Sequence, residues 1–250
     1  MKKHKVLLPL LLIIALFACE EQSNDTAPAS EESASLLTRR VRTSLHNNES
    51  VITEYSYQDG LLVRRDIEGA ISQYFYENRR LSRVESQVDF LTTITTFSYT
   101  DNSVSWRMET FDSAQVYVAT VREHLFQADG RIRMNRYLDT ENQMEFSGHS
   151  IISVVDGNIT QSIEYDVNGN ELSRSEITFG TGLNPFALWE GHPLENKNLN
   201  LRHELFENGE FSYGTSIEEV VLNADNLPTE LIARPLGTNA STFKVEYFYD

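Results

Sequence analysis

His203-Glu204-Leu205-Phe206-Glu207 comes near a metal-binding motif, with one histidine and two carboxylates in five residues. A zinc-protease helix needs a second histidine four positions on, where Glu207 stands, and helical spacing to bring the pair onto one face. This segment alternates like a strand, so no zinc site is expected there. Asp166, Asn168 and Asn170 offer oxygens at alternate positions as calcium loops do, yet Ile177 holds the twelfth position where a bidentate carboxylate belongs. A hairpin turn is the expected reading. His192, Glu195 and Asp225 supply acid–base groups without a nucleophile elbow, since no Gly-x-Ser-x-Gly occurs. Gly180-Thr181-Gly182 lacks the further glycine and the strand-to-helix setting of a phosphate loop. Arg131, Arg133 and Arg136 could receive an anionic ligand, but in so acidic a chain they are expected to pair with cross-strand acids. The expectation is a non-enzymatic protein with no catalytic residue, no metal site and no cofactor.

The single cysteine, Cys19, carries a different chemistry. Lys2, Lys3 and Lys5 form a basic start, and Val6 to Phe17 is an apolar run broken only by Pro9. That run is too short to span a bilayer core, where about 20 residues are needed. Leu16-Phe17-Ala18-Cys19 follows it and resembles a bacterial lipobox, in which the cysteine thiol forms a thioether to lipid before cleavage. Residues 1–18 are therefore expected to be a lipoprotein signal peptide, with Cys19 the lipid attachment site. Several acyl chains at about 0.8 kcal/mol per buried CH₂ would hold the protein on a bilayer. Residues 20–35 hold five acids, four serines, one proline and no base, the composition of a flexible tether, so 19–35 is read as lipidated cysteine plus acidic tether. Glu20 and Glu21, in place of the aspartate that retains lipoproteins at the inner membrane, point to the outer membrane, periplasmic or cell-surface facing.

The full chain has a net charge of −16; losing the three lysines of the leader leaves 18 basic against 37 acidic residues, a net charge of −19. Such a surface repels phosphate backbones, so no nucleic-acid partner is expected. One cysteine excludes an internal disulfide framework. Asp25-Thr26-Ala27 and Asp112-Ser113-Ala114 resemble an O-glycosylation motif of some Gram-negative exported proteins, making Thr26 and Ser113 candidate modification sites.

From Val51 onward the period is two. In Val51–Gln58 the odd positions are Val, Thr, Tyr and Tyr, and the even ones after Ile52 are polar, which describes a strand with one buried face. Asp59-Gly60 then marks a tight hairpin. The unit recurs as Tyr74-Phe75-Tyr76 before Glu77-Asn78 and as Phe97-Ser98-Tyr99 before Asp101-Asn102. Degenerate copies precede Asp129-Gly130, Asn168-Gly169 and Asn208-Gly209, Asp156-Gly157 adds another hairpin, and the chain ends on Tyr247-Phe248-Tyr249-Asp250. The turn chemistry predicts an all-β fold over residues 36–250: a long antiparallel meander of sequential hairpins, at least twelve strands, forming a strongly curved sheet or a barrel-like shell. Phe179 to Asn200 breaks the alternation and carries three glycines, two prolines, Phe186 and Trp189. It is expected to fold onto the sheet as a cap, or as a gate over a ligand site, with Phe186 and Trp189 packed inward.

The aromatic-x-Tyr, Asp/Asn-Gly pattern is similar to the tyrosine-aspartate repeats of Rhs-type shells, best in Tyr165-Asp166-Val167-Asn168-Gly169-Asn170. Lipobox, acidic tether, aromatic hairpins and the late Asn184-Pro185-Phe186 together resemble a family of uncharacterised Gram-negative lipoproteins with a porin-like fold, over roughly residues 40 to 250. That resemblance implies a curved many-stranded sheet or barrel and no particular activity. The functional expectation is an outer-membrane-anchored lipoprotein whose sheet binds a glycan or peptide or serves as an envelope component. Two alternatives remain open, a periplasmic carrier enclosing a hydrophobic ligand and a membrane-spanning barrel. Spanning strands need an apolar lipid-facing row, whereas many outward rows here read Glu, Ser, Arg, Gln or Thr.

Overall fold

The computed structural model describes residues 35–112, 115–140, 143–186, 196–237 and 242–250. Cys19, Thr26, Ser113, Trp189, His192 and Glu195 lie outside them. The first eight strands are β1 (Leu37–Ser44), β2 (Ser50–Gln58), β3 (Leu61–Ile67), β4 (Ala70–Glu77), β5 (Arg80–Val88), β6 (Leu91–Tyr99), β7 (Ser103–Asp112) and β8 (Gln115–Phe126). The remainder are β9 (Ile132–Thr140), β10 (Gln143–Val155), β11 (Asn158–Tyr165), β12 (Glu171–Leu183), β13 (Asn198–Glu207), β14 (Glu210–Leu222), β15 (Pro228–Leu236) and β16 (Phe243–Tyr249). No helix occurs among the described residues.

Each strand pairs antiparallel with its neighbours in sequence, and β1 also pairs with β16, so the sixteen strands close into a barrel. Closure leaves no strand edge unpaired. The complete sheet lies between Leu37 and Tyr249, within a compact unit, Ser35–Asp250. The expected all-β meander is present, and of the two shapes left open the closed barrel is the one adopted.

Turn chemistry sets the hairpins. Asp59 and Gly60 both take positive φ (52° and 77°), as do Asp156-Gly157 and Asn208-Gly209, the conformation whose twist matches paired strands. Asn78 and Arg79 take positive φ at both turn positions (51° and 60°) without glycine, so the missing glycine changes residue type and not the class of turn. Because the meander runs up and down, these turns alternate between two rims. The near rim, where β1 begins and β16 ends, holds Asp59-Gly60, Asn78-Arg79, Asp129-Gly130 and Asp156-Gly157. Asn168-Gly169 and Asn208-Gly209 sit on the far rim. The apparent sequence repeat therefore mixes turns from opposite ends.

At the near rim most odd strands, counting from β1, place a buried side chain near their start, among them Leu37, Leu62, Leu81, Val104, Ile132 and Leu199. Opposite several of them stands a tyrosine whose hydroxyl donates to a carbonyl one strand back. Tyr57 donates to Leu37 O (2.9 Å), Tyr76 to Leu62 O (2.9 Å), Tyr99 to Leu81 O (2.8 Å) and Tyr249 to Pro228 O (2.6 Å). These clasps are what the aromatic-x-Tyr unit builds. Burial raises the phenol pKa of Tyr76 to about 12 and raises those of Tyr99 and Tyr249 as well.

Alternation gives the wall two unlike faces. Outward positions carry ion pairs: Arg64–Asp66 (2.9 Å), Arg83–Glu85, Arg107 to both Glu109 (2.8 Å) and Asp139 (2.6 Å), and Arg202–Glu204 (2.7 Å). Lys244 bridges Glu230 (2.9 Å) and Glu246 (3.1 Å) on the same face. Inward positions carry rings, aliphatics and small hydroxyls, with a few charged side chains among them such as Arg65 opposite Tyr55 and the Arg136–Glu164 pair beside buried Ser150. The core cluster, including Tyr55, Leu62, Leu199, Leu231, Val245 and Tyr247, packs there.

Candidate functional site

A cavity of about 720 Å³ opens on the inner side of β13–β16 and β1, within the size range of small-molecule sites. Its apolar wall is Leu199, Ile217, Leu231, Ala233, Val245 and Phe243. Closure of the barrel puts β1 against β16, and that pairing aims two arginines inward. Arg40 stands opposite buried Tyr247 and Thr53, and Arg42 opposite buried Val245. Directly opposed residues of an antiparallel pair share a face, so both guanidinium groups belong to the inner face.

Each arginine lies over a ring. The Arg42 guanidinium is 4.1 Å from the Phe243 centroid and that of Arg40 is 5.8 Å from Phe186. Neither has a carboxylate partner among the described residues, unlike the outward arginines just given. His203 also borders the cavity, whereas the Arg202 guanidinium turns to the outer face and pairs with Glu204, and no acidic residue lines the cavity among those described.

Phe186 reaches the cavity from the segment joining β12 to β13. Strand β12 runs on to Leu183 and β13 starts at Asn198, so the excursion expected over 179–200 is confined to 184–197. Gly180 and Gly182 are strand residues; a Cβ at Gly182 would lie 2.9 Å from Leu222 Cδ2, which explains a glycine without a phosphate. The Asn184 side chain accepts from Phe186 N (3.1 Å) and donates to Asn196 O (2.8 Å), closing a turn across buried Pro185. Asn196 accepts from Ile159 N (2.7 Å), and Asn158 and Asn198 exchange hydrogen bonds at 2.8 and 3.0 Å. These amides pin the arm to the β10–β11 turn and hold the Phe186 ring 6.1 Å from Tyr55.

The other sequence candidates resolve into structural roles. His203 Nε2 lies 3.2 Å from Ser175 Oγ, while Glu204 points to the opposite face toward Arg202. Asp166 caps its own turn, accepting from Asn168 N (2.8 Å), Asn170 N (2.8 Å) and Asn170 Nδ2 (2.8 Å), and these bonds lower its carboxyl below the ordinary range. Asp225 accepts from Ser35 Oγ (3.1 Å). Arg131 pairs with Asp129 (2.7 Å) in its own turn and Arg136 with Glu164 (2.6 Å), while Arg133 donates to Asn135 (3.0 Å). No group of three or more metal-ligating side chains occurs among the described residues.

Arg40 and Arg42 were not legible as site residues. Leu37–Ser44 puts arginine at 39, 40 and 42, so charge falls on both parities and hides the alternation. The only available signal was that 40 and 42 share a strand face.

His124 was also missed. It is 1% exposed, its ring centroid is 4.2 Å from that of Trp106, and its Nδ1 has no hydrogen-bond partner among the described residues. Burial, and secondarily Arg122, lowers its pKa to about 4.

No family model matches this chain, and no curated protein matches it. Among solved structures it is similar to a porin-like protein from Bacteroides vulgatus, at 12% identity and a TM-score of 0.55, over 86% of this chain and 99% of that one. A porin-like protein from Bacteroides uniformis is 14% identical with a TM-score of 0.34, over 86% of this chain and 96% of that one. The first similarity shows a shared porin-like β fold.

Proposed function

We propose that this protein is an outer-membrane lipoprotein, anchored through Cys19, whose barrel stands beside the bilayer and takes a small ligand into its lumen without chemically changing it. The observation that carries this reading is the contrast between the two faces of the wall. A lipid-facing row must be apolar, and an arginine or lysine at the bilayer midplane costs about 2–4 kcal/mol. Here the outward rows of several strands hold ion-paired arginines, lysine and carboxylates, while Leu199, Ile217, Leu231, Ala233, Val245 and Phe243 line the cavity. A barrel of that kind needs a separate anchor, and the lipobox cysteine supplies one. The same contrast favours the carrier role over a purely structural one, since the cavity is apolar and has room for a ligand. With its acidic exterior, the proposed partners are the membrane, through the lipid, and a small ligand with an apolar body, and not nucleic acid.

Two measurements test this. Cys19→Ser, with processing verified, leaves the membrane fraction; retention after a high-salt wash overturns the anchored reading and favours a spanning barrel. A thermal-shift screen of apolar compounds on residues 35–250 finds ligands that raise Tm. A screen in which none does so removes the binding role.

A further inference from the structure

We infer that the lumen site is built for an amphipathic anion, an acidic head on an apolar body, with Arg40 and Arg42 receiving the head. This rests on the proposal that the lumen takes a ligand and specifies the chemistry of that ligand.

The chain has 37 acidic and 21 basic residues, and the outward arginines Arg64, Arg107 and Arg202 each pair with a carboxylate. Arg40 and Arg42, the two arginines of the cavity's inner face, have no such partner among the described residues and lie over the rings of Phe186 and Phe243. Two residues apart on one strand face, their Cα atoms are about 7 Å apart. Two forked guanidinium groups at that spacing, lying along aromatic faces, can donate together to one carboxylate or phosphate. The Phe186 and Phe243 rings hold the guanidinium groups without neutralising them.

The surrounding wall completes the recognition. Beyond the arginines the cavity runs along Leu199, Ile217, Leu231, Ala233 and Val245, with no acidic side chain among the described lining residues. A cation would meet two positive charges and no counter-charge. A neutral apolar molecule would fill the wall while leaving both arginines without an ion pair. Only an anion with an apolar body uses both halves. Asn184 and Asn196 are engaged in pinning the arm and are not counted as head-group ligands.

The test uses residues 35–250, which contain the whole sheet, titrated below micelle formation with dodecanoate, dodecyl phosphate, dodecanol and dodecylamine. At least one anion is expected to bind about tenfold or more tighter than dodecanol, with dodecylamine weakest. The order of the two anions identifies whether a fatty acid or a phosphate-headed lipid is the better match. Arg40→Gln and Arg42→Gln, with folding checked by circular dichroism, are expected to reduce anion binding to the level of dodecanol and leave dodecanol binding unchanged. Arg42→Lys retains part of the preference, and Arg64→Gln on the outer face changes nothing. Equal affinity for dodecanol and both anions overturns this inference and leaves the lumen-binding proposal standing. Anion preference that survives both glutamine variants also overturns it. Failure of all four probes to bind overturns both.

Discussion

Around the near rim, Tyr249, Tyr57, Tyr76 and Tyr99 stand opposite Leu37, Leu62, Leu81 and Val104, and each donates its hydroxyl to a carbonyl one strand back. In the rest of the barrel the equivalent positions are Phe126, Val155, Leu183 and Leu222, facing Ile132, Asn158, Asn198 and Pro228. None of these four has a hydroxyl, and Phe126 and Val155 are 44% and 55% exposed. The clasped arc, β15 through β16 and β1 to β6, is a repeat carried through. The unclasped arc is held partly by the Asn184–Asn198 arm, whose amides bind it to Gly157, Asn158 and Ile159. The cavity forms where the two arcs meet, with Arg40 and Arg42 from one and Phe186 from the arm. Regular hairpins make the wall, and the departure from them makes the site.

The largest effect expected from breaking the clasped arc is that of Leu62→Ala. Leu62 is fully buried, so the variant should lose about 3 kcal/mol in urea unfolding while dodecanoate affinity of the folded protein is retained. Loss under about 1 kcal/mol would mean that the rim ring is not a packed core.

In the unclasped arc the comparable lever is pH. His124 is neutral in the folded protein down to about 4, against 6.5 in the unfolded chain, so between those values the unfolded state binds the extra proton. Stability is fully present above 6.5 and falls on acidification through that window, by about 3 kcal/mol once below 4. Equilibrium unfolding at pH 7 and pH 4 measures the drop, and His124→Phe should remove most of it. An unchanged drop in the variant assigns the pH dependence elsewhere.

Phe186→Ala attacks the arm. Its half-buried ring touches Tyr55 and the core cluster, so a loss of about 2 kcal/mol is expected, together with weaker anion binding through a less firmly held Arg40. A stability loss without any change in binding would separate the arm from the site.

Tyr76→Phe removes one clasp and should cost about 1 kcal/mol with binding untouched. The converse, Phe126→Tyr, places a hydroxyl where the clasped arc would direct it to the Val104 carbonyl, and a gain of about 0.5 kcal/mol is expected. Equal Tm values for both variants and the parent would show that the hydroxyls contribute nothing.

Most of the wall was legible because it rests on local rules. Val51–Gln58 declares its period of two, and Asp59-Gly60 can hardly be other than a hairpin turn. Phe186 was legible as an inward aromatic because a ring beside Pro185 in a long connection has few other places to go. The rim of each turn was not legible: Tyr165-Asp166, the best match to the tyrosine-aspartate pattern, lies at the far rim, with Tyr165 facing outward and stacked on His149 at 5.0 Å. Nor was the length of the excursion, since Gly180 and Gly182 look like loop residues until Leu201 and Leu222 are seen against them.

What the sequence alone determined is the period, the turns and the order of the strands, because each depends on residues within a few positions of one another. Which face becomes the lumen was decided by closure of β1 on β16, residues more than two hundred positions apart. A lumen wide enough to hold a cavity admits polar and even charged inward side chains, so hydrophobic alternation cannot by itself distinguish inside from outside. Arg39 and Arg40 are adjacent and chemically identical. Only the pairing of β1 with β16 sets Arg39 outward, 5.5 Å over the Phe248 ring, and Arg40 inward opposite Tyr247.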